Sequence, residues 1–130
     1  INVGSTFGNI GHPGYSAYCA SKFALRGFTE ALARELSDSN IQLKYFAPRA
    51  TATTLNDDRA TAMNEHLKVG VDSPELVAKE LTQFMASGLN KKYIGWPEKL
   101  FVKINDLFPS IVDKAMAKKL PVIRSYASGQ

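Results

Sequence analysis

Tyr15-Ser16-Ala17-Tyr18-Cys19-Ala20-Ser21-Lys22-Phe23-Ala24-Leu25-Arg26-Gly27-Phe28, running on to Leu36, is the stretch that decides the fold. Its apolar positions Tyr18, Ala24, Leu25, Phe28, Leu32 and Leu36 recur at three- and four-residue steps, the period of a helix with one buried face. A helix over 15–36 would have roughly six turns. Upstream, Ile1-Asn2-Val3 reads as the end of a strand, and a loop spaced by Gly4, Gly8, Gly11 and Gly14 leads from it into the helix. Downstream, Asp38-Ser39-Asn40 supplies turn chemistry, and Ile41-Gln42-Leu43-Lys44-Tyr45-Phe46 reads as a second strand closed by Ala47-Pro48. Strand, helix and strand in that order predict a parallel pair.

The rest of the chain continues the alternation. Thr51 to Val71 is rich in Thr, Asn and Asp without a clear period, which predicts a long loop with one helical turn around Ala60 to Leu67. Ser73 as N-cap and Pro74 at the first helical position start a helix whose apolar face is Leu76, Val77, Leu81, Phe84 and Met85, and Gly88 ends it. Lys92 to Trp96 reads as a third strand. From Pro97 an amphipathic segment carries the stripe Leu100, Phe101, Ile104, Leu107, Phe108, Ile111, Val112 and Ala115, kinked or split at Pro109. The sequence contains no internal repeat or low-complexity tract, so the class is α/β with a mostly parallel sheet.

Composition agrees with an ordinary globular segment: 45% hydrophobic and 22% charged side chains in 130 residues, enough for one domain. The opening on Ile1, already in a strand, reads as a piece cut from a longer protein. The single cysteine, Cys19, excludes an internal disulfide and fits a reducing cytoplasm, and His12 and His66 lie too far apart to suggest a metal site. The net charge of +4 comes from Lys and Arg scattered among acids, which reads as a solvated basic surface and not as a nucleic-acid interface.

Parallel sheets bind ligands at the carboxyl ends of their strands. Ser5 stands just past the first strand, Pro48 to Thr53 just past the second, and Tyr18 and Lys22 in the first turns of the helix between them. Tyr18 and Lys22 are four residues apart and share a helix face. An unperturbed tyrosine keeps its proton at neutral pH, and an ammonium one turn away favours the phenolate, which turns the pair into a proton shuttle. Ser5 adds a hydroxyl able to bond the same substrate oxygen. Alone the pair decides nothing, since five tyrosines among 130 residues make about 0.4 such Tyr-x-x-x-Lys pairs expected by chance.

The pair does not stand alone. Asn2-Val3-Gly4-Ser5, the interval from Ser5 to Tyr18, the small residues Ala20-Ser21 before Lys22, and a following strand ending in Pro48 together resemble the short-chain dehydrogenase/reductase family. The resemblance runs by motif from Ile1 to about Thr54 and by element order to Trp96. It implies the C-terminal portion of a Rossmann-like, doubly wound parallel sheet, with 1–96 as core elements and 97–130 as an amphipathic extension of the same domain. It implies an oxidoreductase exchanging a hydride between NAD or NADP and a carbonyl or alcohol, with Tyr18 as general acid/base. Lys22 would favour the Tyr18 phenolate and bond the nicotinamide ribose, and Ser5 would hold the substrate oxygen. Pro48-Arg49-Ala50-Thr51-Ala52-Thr53 occupies the place of the family's Pro-Gly-x-x-x-Thr segment, so Pro48, Thr51 and Thr53 are expected cofactor contacts and no metal is implied.

Two departures qualify that expectation. Arg49 stands where glycine is usual, and its side chain would restrict the backbone, approach a phosphate or acidic substrate, or simply lie on the surface. The phosphate-binding glycine loop and the adenosine-ribose selector are expected upstream of Ile1, so these 130 residues alone are expected to fold poorly and to be inactive. The alternative reading is a family member that lost catalysis and serves as a binding or regulatory protein. The helices imply a homo-oligomer by resemblance, and the C-terminal stripe flanked by Lys99, Lys103, Lys114 and Lys118 suits an intramolecular or subunit interface better than a membrane surface. The 54–72 loop, which would shape the substrate pocket, contains no diagnostic charge pattern.

Overall fold

The computed structural model of the chain describes residues 1–54, 56 and 58–127. Two positions of the expected 54–72 loop and the last three of the 97–130 segment therefore lie outside the described residues. Three strands, β1 (Asn2–Val3), β2 (Tyr45–Ala47) and β3 (Lys91–Tyr93), form a parallel sheet in the order β1-β2-β3, with Asn2 opposite Tyr45 and Tyr45 opposite Lys91. The helices are α1 (Ser16–Glu35), α2 (Asp58–His66), α3 (Pro74–Ala86), α4 (Glu98–Leu107) and α5 (Pro109–Ala127). The α/β class and the parallel pairing follow the sequence, and both faces of the sheet are covered.

The central strand shows why. Tyr45, Phe46 and Ala47 are all buried, and consecutive strand residues point to opposite faces. Phe46 meets α3, stacking on Phe84 with ring centres 5.8 Å apart, and Val77, Leu81 and Ile94 complete that cluster. Tyr45 points the other way, beneath the loop that follows β1. A second cluster of Ile10, Val102 and Val112 packs α4 and α5 over that same loop, together with Tyr93, Ile104 and Met116.

Several boundaries differ from the sequence reading. Residues 41–44 are not strand: the Ser39 hydroxyl accepts a hydrogen bond from the Ile41 amide, Ile41 is exposed, and pairing with β3 begins only where the Tyr45 amide donates to the Asn90 carbonyl. Lys44 explains the late start, because its ammonium turns to the C-terminus of α3 and donates to the carbonyls of Phe84, Met85 and Ser87. β3 stops at Tyr93, and Gly95, at φ +97°, turns the chain before Trp96. The single turn expected near 60–67 is a nine-residue helix, α2. Ser73 and Pro74 do start α3, the Ser73 hydroxyl accepting from the Leu76 amide, and Pro109 does split the last segment into two helices.

The expected apolar faces also shift. On α1 the buried residues are Cys19 and Thr29, while Phe28 is exposed. The helix is rotated by a polar contact, in which Asn2 Nδ2 donates to the Thr29 hydroxyl at 2.8 Å. In the C-terminal stripe Val112 is buried, and so is Val102, which lay outside the stripe. Leu107 is 72% exposed and Phe108 and Ile111 are largely exposed. No described helix is long and apolar enough to cross a membrane.

Candidate active site

Ser5 reaches the carboxyl edge of the sheet because pairing continues past β1. The Gly4 amide donates to the Phe46 carbonyl at 2.7 Å and the Thr6 amide to the Pro48 carbonyl at 3.2 Å, so the loops after β1 and β2 leave the sheet side by side. Ser5 then caps a short 3-10 turn, Thr6–Gly8, its Oγ accepting from the Phe7 amide at 3.2 Å. An acceptor role toward the backbone leaves the hydroxyl hydrogen available for a second partner. The turn lies against α1 through Gly8, where a Cβ would sit 2.9 Å from the Lys22 carbonyl oxygen and 2.6 Å from the Tyr45 hydroxyl. Gly4 is equally constrained, since a Cβ there would fall 2.1 Å from the same hydroxyl. That hydroxyl donates to the Ser5 carbonyl at 3.3 Å, and burial pushes its pKa above the ordinary tyrosine value, so Tyr45 is a neutral support under the loop.

Tyr18 and Lys22 stand one turn apart on α1. Lys22 Nζ lies 5.6 Å from the centre of the Tyr18 ring and donates to the Val3 carbonyl at 3.3 Å. An ammonium has three donors, so two remain for other groups. Tyr18 is 42% exposed, and its hydroxyl has no hydrogen-bond partner among the described residues. Its ring meets Phe7 edge-on at 6.2 Å and Tyr15 at 6.4 Å. Lys22 thus touches the residue two before Ser5, and Tyr18 touches the residue two after it. The structure brings the three predicted residues to one end of the sheet.

The residues beyond β2 form a second group. Pro48 is held to the first group through Thr6. Thr51 is pinned in place: its hydroxyl donates to the Arg49 carbonyl at 3.2 Å, its carbonyl accepts from Asn56 Nδ2 at 2.7 Å, and it forms a parallel bridge with Asp72. Thr53 is exposed at the rim of a cleft of about 780 Å³ shared with Asn56, Thr61, Asn64, Val69 and Val71. The 54–72 segment therefore does line a cleft, although no hydrogen bond joins Thr51 or Thr53 to Tyr18 or Lys22 among the described residues. The Lys22 ammonium, with two hydrogens beyond its bond to Val3, and the polar groups after β2 together suit a ligand bearing hydroxyl and amide groups.

Arg49 is neither a loose surface arginine nor free to meet a phosphate. It forms a bidentate pair with Asp72, Nε to Oδ2 at 3.0 Å and Nη2 to Oδ1 at 2.7 Å, and Nη1 donates to the Trp96 carbonyl at 2.8 Å and to Glu98 Oε2 at 3.0 Å. The hydrogen bonds it donates to Asp72 outweigh the effect of burial and raise its pKa further.

An aromatic wall escaped sequence reasoning. His12 stacks on Phe7 at 4.8 Å and meets Tyr15 edge-on at 5.6 Å, so it backs the two rings that contact Tyr18. His12 Nδ1 lies 2.9 Å from the Pro13 carbonyl, which accepts only, so this nitrogen carries the proton. Burial lowers the His12 pKa, partly offset by that bond and reinforced by Lys119. The one available signal was density, since Phe7, His12, Tyr15 and Tyr18 fall within twelve positions. Asp72 and Glu98, the partners of Arg49, left no signal in spacing.

Comparison with known proteins points to one family. Residues 1–64 match the family described as short chain dehydrogenase. The chain is 34% identical over 106 residues to "Putative oxidoreductase SadH" of Mycobacterium tuberculosis, covering 73% of this chain and 38% of that one. It is 30% identical over 123 residues to "Uncharacterized oxidoreductase YxnA" of Bacillus subtilis, covering 91% and 35%. It is 40% identical over 65 residues to a diacetyl reductase, (S)-acetoin forming, of Staphylococcus aureus, covering 50% and 25%. The chain thus spans little more than a third of the length of the first two relatives.

Proposed function

The chain belongs to the short-chain dehydrogenase family, and on that premise we propose that it carries the acid/base end of an oxidoreductase acting on a carbonyl or alcohol with NAD or NADP. The observation that supports this reading best is the placement of the Lys22 ammonium against both the Tyr18 ring and the Val3 carbonyl. In the direction of reduction, Tyr18 Oη gives its proton to the carbonyl oxygen. In oxidation it removes the proton of the alcohol. The Lys22 ammonium stands beside the Tyr18 ring as the proton moves, and its remaining hydrogens suit the ribose hydroxyls of the cofactor. Ser5 donates its hydroxyl hydrogen to the same substrate oxygen, where negative charge develops. The nicotinamide, when bound, supplies or accepts the hydride. Phe7 and Tyr15 steady the Tyr18 ring edge-on, with His12 packed behind them, and Pro48, Thr51 and Thr53 hold the carboxamide.

The names of the relatives, two oxidoreductases and a diacetyl reductase, support a carbonyl substrate. A homo-oligomer and a cytoplasmic site of action belong to the same proposal: Phe23 and Phe28 are exposed on α1, and Cys19 is buried and unpaired. Arg49 gives no support to lost catalysis, because its charge is satisfied within the fold. The test is Tyr18→Phe in the full-length protein. Removing the acid/base should lower kcat by about 10²- to 10⁴-fold while leaving cofactor affinity within a few-fold. A Tyr18→Phe enzyme with undiminished kcat would reject the assignment and favour a binding protein.

A further inference from the structure

Arg49 sits in a slot built for it. A Cβ at Gly70 would fall 2.0 Å from its Nη1, and one at Gly95 would fall 2.4 Å from its Cδ. Both positions lack a side chain where the arginine passes. The guanidinium makes four hydrogen bonds to three residues that are distant in sequence, and its side chain is 17% exposed against 6% for Asp72. Breaking such a pair leaves a buried carboxylate without its counter-charge. The backbone reinforces the same junction. The Asp72 amide donates to the Ala50 carbonyl and the Ala52 amide to the Asp72 carbonyl, each at 2.9 Å. Residues 50–52 and Asp72 are therefore fastened together at the neck of the excursion 53–71, which carries α2, and Arg49 ties this neck to the corner between β3 and α4.

We infer that Arg49 is a positioning residue: it clasps the neck to Asp72 and to the Trp96–Glu98 corner, and so fixes the Thr51–Thr53 segment for the nicotinamide. The inference rests on the cofactor role proposed above for Thr51 and Thr53. The arginine replaces the conformational freedom of the glycine that the family pattern places here with a fixed, charge-locked backbone. Misplacing a binding group by an ångström is enough to cost about two orders of magnitude, and charge-assisted bonds hold geometry more firmly than neutral ones.

Four variants of the full-length protein test this: Arg49→Gly, Arg49→Lys, Gly70→Ala and the double Arg49→Gly/Gly70→Ala. Arg49→Gly should raise the KM and Kd for the nicotinamide cofactor about tenfold or more, with the KM for the carbonyl substrate changed less than threefold. Arg49→Lys should recover part of the loss. Gly70→Ala places a methyl against the flexible end of Arg49 and should reproduce the cofactor defect, and the double variant should be no worse than Arg49→Gly. A residue that merely stabilises the fold would lower Tm and leave the cofactor KM of the folded enzyme unchanged, which would overturn the inference. Amide hydrogen exchange at Ala52 and Asp72, in protein free of cofactor, reads the clasp independently of turnover. Exchange about tenfold faster in Arg49→Gly supports it, and unchanged exchange refutes it. If the wild type shows no cofactor-dependent turnover, the functional proposal falls and exchange alone decides the clasp. If Arg49→Gly does not fold, Arg49→Lys and Gly70→Ala carry the same two readouts.

Discussion

Replacing Gly8 by alanine should injure both stability and catalysis, because this glycine is the contact between the Ser5 turn and the helix bearing Tyr18 and Lys22. The added Cβ would lie 2.9 Å from the Lys22 carbonyl oxygen, 3.2 Å from its carbonyl carbon and 2.6 Å from the Tyr45 hydroxyl. The first two are helix backbone and the third belongs to a buried ring, so none can swing aside. An ordinary contact needs about half an ångström more at the carbonyl, and the turn must rise off α1 by that amount. Overpacking of this kind costs about 1–3 kcal/mol, a factor of roughly 5 to 150 in the folded-to-unfolded ratio. If an ångström of misplacement costs about a hundredfold, half an ångström at Ser5 costs about tenfold in kcat. The assay is urea unfolding together with steady-state kinetics on the full-length protein, with Gly11→Ala as the control. A Cβ added at Gly11 would have nothing within 4 Å, so its variant should stay within about 0.5 kcal/mol of wild type. A Gly8→Ala protein as stable and as active as Gly11→Ala would refute the reasoning.

Lys44→Met should destabilise the protein by about 1.5–3 kcal/mol, the range for hydrogen bonds to a charged group, because the carbonyls of Phe84, Met85 and Ser87 at the end of α3 lose their donor. The denaturant midpoint measures it, and an unchanged midpoint would show that water replaces the ammonium at no cost. His12 predicts a pH dependence. Its native pKa lies below the unfolded value near 6.5, so the unfolded chain takes up a proton first as pH falls. Its contribution to stability is therefore complete above that value and is lost on acidification through 6.5 toward the lower native pKa. His12→Gln should flatten the stability profile in that window, and a variant with the wild-type slope would remove His12 as its source.

The readable parts of the chain were those whose signals are local. Ser73 and Pro74 start α3 because a cap and a proline act on their own backbone, and Pro109 splits the last segment for the same reason. Tyr18 and Lys22 were legible because four residues always make one helical turn. What spacing did not show depends on partners far along the chain. The six-residue strand shrank to Tyr45–Ala47 because Lys44 serves the end of α3. The face of α1 turned because Asn2 bonds Thr29. Arg49 read as a departure from a pattern until Asp72, Glu98 and the two glycines around it came into view.

The closed neck at Ala50–Ala52 and Asp72 has a consequence for divergence. With its two ends fastened together, the excursion between them can lengthen, shorten or change sequence without pulling on β2 or on Ser5, Tyr18 and Lys22. Doubling such a loop adds only about 0.6 kcal/mol of closure entropy. Selection can then remodel the cleft wall at α2, where Thr61 and Asn64 stand, while Ser5, Tyr18 and Lys22 keep their places. The cleft wall and the Ser5, Tyr18 and Lys22 cluster are, in this chain, separable heritable units joined where Asp72 meets Arg49, Ala50 and Ala52.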